Sequence, residues 1–337
     1  MRKSVAIQNG NCPVKQPQAM CLSGPALLRS KLTREKTAAT GPEQSESQAS
    51  HRAFLSPFRY PGGKSWFIKV ARKWLKNQPR RPTVLVEPFA GGAGISLAAV
   101  HEDLVNEAAF AERDRDVAAA WKTMLNGEAK WLADKIRSFR ISRKRVEKVL
   151  TRTPSNRQRR AFRCLLRNRT ARGGVITKGA GLIREGEDGN GLGSRWYPDT
   201  LAERIATISY LKPKLKFTQG DGFTLIKKFI RRQRAVFFVD PPYTQAACRL
   251  YNHWKIEHEK LFKLLCRAKG DVLMTYNDTP EIRALAEKYG FQFKRISMRT
   301  THHQKKRELM ISKNFKWQKK PNAKSKSNGA KDLGGEK

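Results

Sequence analysis

The sequence predicts an α/β protein: a mostly parallel sheet with helices on both faces, interrupted once by a mainly helical, strongly basic insertion. Three observations predict it. Short runs of strand composition alternate along the chain with segments of helical pattern, the element order that builds a parallel sheet with crossover helices. Several runs, such as "AVFFVD" (235–240), are apolar at successive positions rather than at every second one, as in a strand covered on both faces. The second and third runs are separated by residues 113–214, too many for one crossover.

Composition narrows the partners. The chain has 337 residues, with 69 Lys and Arg against 29 Asp and Glu, a net charge of +40. Such an excess repels itself unless a polyanion is the partner, which points to nucleic acid or an anionic membrane. No apolar run approaches the length of a membrane span, and the basic N-terminus lacks the apolar core of a secretory signal. Five cysteines, Cys12, Cys21, Cys164, Cys248 and Cys266, are scattered without a CxxC pair. They suit reduced thiols in a cytoplasm and argue against zinc, so no metal is expected.

The elements follow in order. Residues 1–50 are polar and aperiodic, "TAATGPEQSESQAS" among them, and are expected to be disordered, as is the basic tail from about 316. "PFRYPGGKSWF" (57–67) is a compact turn in which Tyr60 precedes Pro61-Gly62-Gly63 and Lys64 follows, leading into a helix over 65–77. By itself it is equally a plain helix-entry turn with a solvated lysine. "TVLVEPF" (83–89) is a strand that ends on Glu87, Pro88 and Phe89. It passes through a glycine turn at Gly91, Gly92 and Gly94 into a helix over 94–102. Glycines let backbone approach a ligand closely, and a helix N-terminus favours polar or anionic groups. "AAFAE" (108–112) puts Glu112 at the next strand end, where a carboxylate can accept both hydroxyls of a ribose. A nucleoside cofactor that needs no pyrophosphate grip fits this pair.

Within the long interval, residues 121–212 carry 22 basic against 8 acidic side chains, and 137–172 carry 14 basic residues against Glu147 alone. Pro154-Ser155 splits this stretch into two helical halves, with Phe162, Leu165 and Leu166 giving the second an apolar face. "GGVITKGAGLIREGEDGNGLGSRW" (173–196) reads as a glycine-rich loop or hairpin. A charge run is often only a solvated face, but this density with almost no acid points to nucleic-acid contact. Arg167, Arg169 and Arg172 beside the glycine-rich loop, with Arg195 at its end, are the candidates for contacting bases.

Strands then resume at "LKFTQ" (215–219), followed by Asp221, which can reach an adenine amino group, and at "AVFFVD" (235–240). Pro241 and Pro242 lack N–H donors and fix φ, so pairing stops there in a stiff turn. Asp240 and Tyr243 are thereby held on rigid backbone at the carboxyl end of a strand, where open α/β sheets keep their ligands. Helices over 257–268 and 279–289 and strands over 271–276, 291–297 and 308–312 complete the sheet. His302 and His303 stand in a polar run as loop or phosphate-contacting residues rather than ligands. Trp66, Trp74 and Trp121 read as core or helix-packing residues.

Taken together and in this order, "RYPGGK", "EPFAGGAG", "AERD", a long insertion, "GDGF" and "DPPY" resemble the Dam-like DNA adenine-N6 methyltransferases over roughly residues 54–313. The resemblance implies a Rossmann-like class I methyltransferase sheet over 51–120 and 213–315, with residues 121–212 as a helical DNA target-recognition insertion. It implies S-adenosylmethionine as cofactor and double-stranded DNA as partner, with neither metal nor membrane, in a cytoplasmic protein; the sequence leaves the oligomeric state open, with a monomer favoured. Tyr60, Lys64, Glu87, Pro88, Phe89, Gly91, Glu112, Asp221 and Asp240 would bind the cofactor or complete its site. Asp240, Pro241 and Tyr243 would handle a flipped adenine. The chain has Tyr60-Pro61 where the family often has Trp-Ala, and its insertion matches mainly at "RNRTARGG" and "SRWYPDTLAERI". Two rivals share parts of the pattern. An rRNA guanine-N2 methyltransferase can carry an Asp-Pro-Pro-aromatic strand end on a basic surface, but is not expected to have the "RYPGGK" turn or so large an insertion. A non-catalytic nucleic-acid-binding protein would not need Glu112, Asp240 and Tyr243.

Overall fold

Seven strands form one sheet in the order β3-β2-β1-β4-β5-β7-β6. They are β1 (Val84–Glu87), β2 (Glu107–Glu112), β3 (Leu215–Gln219), β4 (Ala235–Val239), β5 (Val272–Asn277), β6 (Gln292–Arg299) and β7 (Lys305–Ser312). The structure, a computed structural model, describes residues 54–59, 64–177, 180–186, 189–242, 256–299 and 305–318. The expected disorder of residues 1–50 therefore lies outside the described residues. Strands β1 to β5 pair in parallel, and β7 enters antiparallel between β5 and β6. This is the mostly parallel sheet of an α/β protein, as the sequence predicts. The strand order reverses between β1 and β4, which makes the carboxyl edge of those two strands the topological switch point.

Alternation within each strand decides what that edge presents. In β4, Val236 and Phe238 face one hydrophobic cluster while Ala235, Phe237 and Val239 face another. Leu85, Phe110, Leu273 and Met310 share the first face with Val236 and Phe238. On that face lie α1 (Ile68–Lys76), α2 (Gly94–His101) and five helices between β2 and β3. The opposite face is covered by α8 (Gly222–Phe229), α9 (His258–Leu265) and α10 (Pro280–Lys288). Burial on both faces is why β4 is apolar at every position and β1 at every position before Glu87.

The five helices are α3 (Arg115–Leu125), α4 (Ala129–Ser138), α5 (Arg143–Thr151), α6 (Arg157–Thr170) and α7 (Pro198–Tyr210). Local sequence starts several of them. The side chains of Asp114, Ser142 and Asn156 each accept a backbone N–H from the first turn of α3, α5 and α6. Pro154 falls in the break between α5 and α6, as the sequence predicts. The insertion does not have a core of its own. Trp121 of α3 packs on Phe110 of β2 at 4.9 Å between ring centroids, and Phe162 of α6 joins Phe139 and Trp196 in a second aromatic group. One buried cluster runs from the sheet through both groups. The expected boundary at residue 121 thus falls inside α3, a helix that belongs to sheet and insertion alike. Among its described residues the glycine-rich stretch has one bridge, Ala171 to Leu182 at its base, and short 3-10 turns at Arg172–Gly174 and Gly191–Arg195.

Residues 316–318, the first of the stretch expected to be a disordered tail, are folded, and the rest of that stretch lies outside the described residues. A 3-10 turn at Lys316–Gln318 buries Trp317 beside Phe315, and Lys73 of α1 donates to the Gln318 carbonyl at 3.0 Å. Among the described residues no helix is long and apolar enough to cross a membrane.

Gly270, just before β5, lies where a Cβ would come within 1.7 Å of the Ala235 carbonyl oxygen, at the start of β4. Both neighbours are backbone, so neither can swing aside. We expect Gly270→Ala to cost roughly 3 kcal/mol, the upper end for overpacking, read as a lowered midpoint in chemical denaturation. An unchanged midpoint would show that the two strand ends can separate freely.

Candidate active site

The site begins with two matched spacings. Phe67 packs its ring on Phe238 at 5.6 Å between centroids, and both are fully buried. Lys64 precedes Phe67 by three residues in the 3-10 turn Lys64–Phe67, and Asp240 follows Phe238 by two residues in an extended chain. Three residues of 3-10 helix advance about 6 Å, and two of strand advance about 6.6 Å. The aromatic contact therefore brings the lysine over the carboxylate. Lys64 Nζ lies 2.9 Å from Asp240 Oδ1, with the lysine side chain only 7% exposed. Thr275 of β5 donates its hydroxyl to the same Oδ1 at 2.7 Å. Lys64 Nζ also lies 3.7 Å from Glu308 Oε2, and Glu308 is buried in β7 opposite Asn277.

Glu87 stands at the neighbouring strand end, buried, and accepts the Ser96 N–H in the first turn of α2 at 2.9 Å. Burial pushes its carboxyl up to about 7 against the pull of the Ser96 hydroxyl and amide, and the negative charge of Asp240 adds to the rise. Glu112 closes β2, partly covered, and accepts the Asp114 N–H at 2.7 Å. Its carboxyl is also raised to about 7, first by burial, while the amides of Asp114, Arg113 and Gly91 oppose the rise. The glycine turn between β1 and α2 is thus stitched to Glu112. It is fixed from behind as well: Trp121 Nε1 donates to the Gly91 carbonyl at 2.8 Å. Gly91 and Ala93 both have positive φ, 48° and 46°. For Ala93, which is fully buried, that is stored backbone strain, a feature typical of ligand-binding turns.

Pro88 is buried and Phe89 half-buried, its ring edge-on to Phe223 at 6.2 Å. Gly222 lets α8 approach this turn, since a Cβ there would meet the Pro88 carbonyl oxygen at 2.5 Å. Asp221 is exposed at the α8 N-terminus and its side chain makes no capping bond, so its carboxylate is not committed to its own helix. Pro241 is buried directly after Asp240. Tyr60 and Tyr243 lie outside the described residues.

The structure thus gathers Lys64, Glu87, Pro88, Phe89, Gly91, Glu112, Asp221, Asp240 and Pro241 along the carboxyl edge. It adds Thr275 and Glu308, which sequence reasoning missed, and gives Trp121 a task beyond packing. An acid opening the apolar run "ELMIS" after three basic residues was the available signal for Glu308.

The basic insertion needs correction. Arg169 is 3% exposed and donates through Nε and Nη2 to the Pro57 carbonyl, so it is a clamp on the segment entering the Lys64 turn and not a base reader. Burial, then Arg204 and Arg59, bring its guanidinium down to about 9. Asn168 beside it exchanges hydrogen bonds with the backbone of Arg59, both at 2.8 Å. Part of the remaining charge is neutralised internally. Arg157 pairs with Glu128 at 2.7 Å, while Arg160 and Arg163 share Asp116 at 2.9 and 3.0 Å. Arg167 is half-buried on that same helix, and its guanidinium is lowered first by burial and then by Arg163. Arg172 is exposed in its 3-10 turn, and Arg195 is partly exposed at the end of another. Among the described residues no cluster of His, Cys, Asp and Glu could hold a metal ion.

No protein-family model matches the sequence, and no curated protein matches it. Solved structures do. A candidate RNA methyltransferase from Pyrococcus horikoshii matches at 12% identity over 76% of this chain and 84% of its own, with a TM-score of 0.35. A tRNA methyltransferase from Bacillus subtilis matches at 11% over 73% and 64%, with a TM-score of 0.31. A precorrin-6y C5,15-methyltransferase from Geobacter metallireducens matches at 9% over 72% and 86%, also with a TM-score of 0.31. Likeness at this level does not assign a substrate.

Glu87 generates a pH test. Its folded value of about 7 lies above its ordinary 4.5, so the folded protein holds a proton that the unfolded chain releases between those values. The contribution is full below pH 4.5 and is lost as pH rises to about 7, on the order of 3 kcal/mol at about 1.36 kcal/mol per unit. Glu87→Gln cannot ionise, so its melting temperature should fall less than the wild type's between pH 5 and pH 7.5. Parallel curves would mean that Glu87 is not held neutral.

Proposed function

We propose that this chain transfers a methyl group from S-adenosylmethionine to the N6 amino group of adenine in double-stranded DNA. The observation that carries the reading is a reversal of charge. In a chain of net charge +40, the carboxyl edge at the switch point collects Asp240 and Glu308 around the cation of Lys64, with Glu87 at the neighbouring strand end and Glu112 one strand further. An acidic recess in a basic protein suits a cationic small molecule inside and a polyanion outside, which is the charge pattern of a sulfonium donor and a nucleic acid.

On this reading Glu112 accepts the ribose hydroxyls, Asp221 meets the adenine of the cofactor, and Pro88, Phe89 and Gly91 shape the turn beneath the methionine portion. The carboxylates favour the sulfonium, whose methyl carbon is the electrophile. The target amine is a poor nucleophile because its lone pair is delocalised into the adenine ring. If Asp240 and the Pro241 carbonyl each accept one of its N–H bonds, the nitrogen pyramidalises and points that lone pair at the methyl carbon. S-adenosylmethionine, when bound, would supply that methyl carbon and leave as S-adenosylhomocysteine as the N–C bond replaces the C–S bond, and the amine would give its surplus proton to water. Positioning and fixed electrostatics supply the rate. A duplex hides the amino group, so the base must leave the stack. Lys64 and Thr275 both bind Asp240 Oδ1, which fixes the carboxylate and directs its other oxygen to the substrate.

Asp240→Ala should lower turnover roughly 10²–10³-fold or more, as for loss of one preorganised hydrogen-bonding group, with DNA affinity little changed in the folded variant and a lowered melting temperature because Lys64 loses the carboxylate it pairs with. The assay is transfer of a labelled methyl group to duplex DNA, with nucleoside mass spectrometry to identify N6-methyladenine. Methylated guanine in rRNA, or full activity in Asp240→Ala, would overturn the assignment.

A further inference from the structure

The antiparallel pair β6 and β7 is longer than the sheet that carries it. Pairing between β5 and β7 ends at Asn277 opposite Glu308. Pairing between β6 and β7 continues for three more positions, Ser297 with Arg307, Met298 with Lys306 and Arg299 with Lys305. Because β7 runs antiparallel to β5, these three pairs lie past the carboxyl edge, the edge that holds Asp240. At about 3.3 Å per residue the two-stranded ribbon overhangs by about 10 Å.

The charge of the overhang differs from that of its base. Residues 292–299 and 305–307 contain Lys294, Arg295, Arg299, Lys305, Lys306 and Arg307, and no acid. The two nearest the sheet are occupied: Arg295 Nε donates to Asp278 at 2.8 Å, and Lys294 donates to Gln318 while lying over the Phe315 ring at 4.7 Å. The other four occupy the overhanging positions. Its root touches the active site, since Glu308 follows Arg307 directly and approaches Lys64, the partner of Asp240. The ribbon therefore rises from the wall of the recess.

We propose that the β6–β7 ribbon is a nucleic-acid-binding arm whose four overhanging cations contact the phosphodiester backbone next to the target base. The proposal rests on the reading of Asp240 as the group that receives that base. A two-stranded ribbon fits the major groove of a duplex, and a row of cations with no acid suits phosphates rather than base edges. The arm would work beside the helical insertion, whose arginines are in part already neutralised by Asp116 and Glu128. Substrate would then be gripped from two sides of the recess.

The test is binding of the full chain to a duplex DNA and to an RNA hairpin over a range of salt, without cofactor. The main variant is Arg299→Gln/Lys305→Gln/Lys306→Gln/Arg307→Gln. Lys305→Gln/Lys306→Gln serves as a milder second variant, with melting temperature checked for both. Arg231→Gln/Lys269→Gln, two exposed positions at the amino edge of β4 and β5, is the control. The slope of log affinity against log salt should flatten by about 0.9 for each phosphate that is no longer neutralised, so by at least about 2 in the main variant. The control should not change it. Flattening on DNA alone, or on RNA, identifies which backbone the arm grips. Wild-type slopes on both polymers, in either folded arm variant, would overturn the arm. Because no cofactor is present, this outcome is decided whether or not Asp240 serves methyl transfer.

Discussion

A strand sends alternate side chains to opposite faces, and the active edge depends on that parity. Glu87 shares a face with Leu85, Glu112 with Phe110, Asp240 with Phe238, Thr275 with Leu273 and Glu308 with Met310. Five polar groups from five strands thus turn to one side of the sheet, the side where Lys64 enters. A shift of one residue in any of these strands would send its polar group beneath α8, α9 and α10, away from the lysine. The fully buried strand interiors that fix the register thereby also fix the charge pattern at the edge.

Parity alone would leave several carboxylates facing one another. The structure relieves this in three ways. Lys64 is held against Asp240 and Glu308 by the Phe67–Phe238 contact; Glu87 and Glu112 accept backbone amides; and both are displaced toward the neutral form, at about 7. What remains is an acidic edge whose raised carboxyls can lose protons when a cation binds. The insertion supports the same arrangement from outside. Arg204, Arg169 and Asn168 bind the backbone of Ser56, Pro57 and Arg59, the segment that leads to Lys64. Residues that look like recognition elements in the sequence therefore also position the segment that carries Lys64.

Local patterns were enough to read the strands, because burial on both faces leaves an uninterrupted apolar run, and to read the edge acids, because each ends such a run before a turn. What could not be read depends on pairing between distant segments. Glu308 becomes part of the site only because β7 inserts between β5 and β6. Asp116 neutralises Arg160 and Arg163 only once α3 and α6 pack together. Arg169 has the sequence context of a nucleic-acid contact, and only the fold shows it turned inward to Pro57. The overhang of β6 and β7 was hidden for the same reason, since basic residues at 305–307 look like loop until their ladder with 297–299 is seen.

The most direct test of the acidic recess is the pH dependence of two affinities. S-adenosylmethionine carries a sulfonium charge that S-adenosylhomocysteine lacks, and the two differ in little else. Calorimetric titrations of both between pH 5.5 and pH 8.5 should show their affinity ratio moving toward S-adenosylmethionine as pH passes about 7, where Glu87 and Glu112 ionise. A ratio that does not change with pH, or no binding of either compound, would contradict the account.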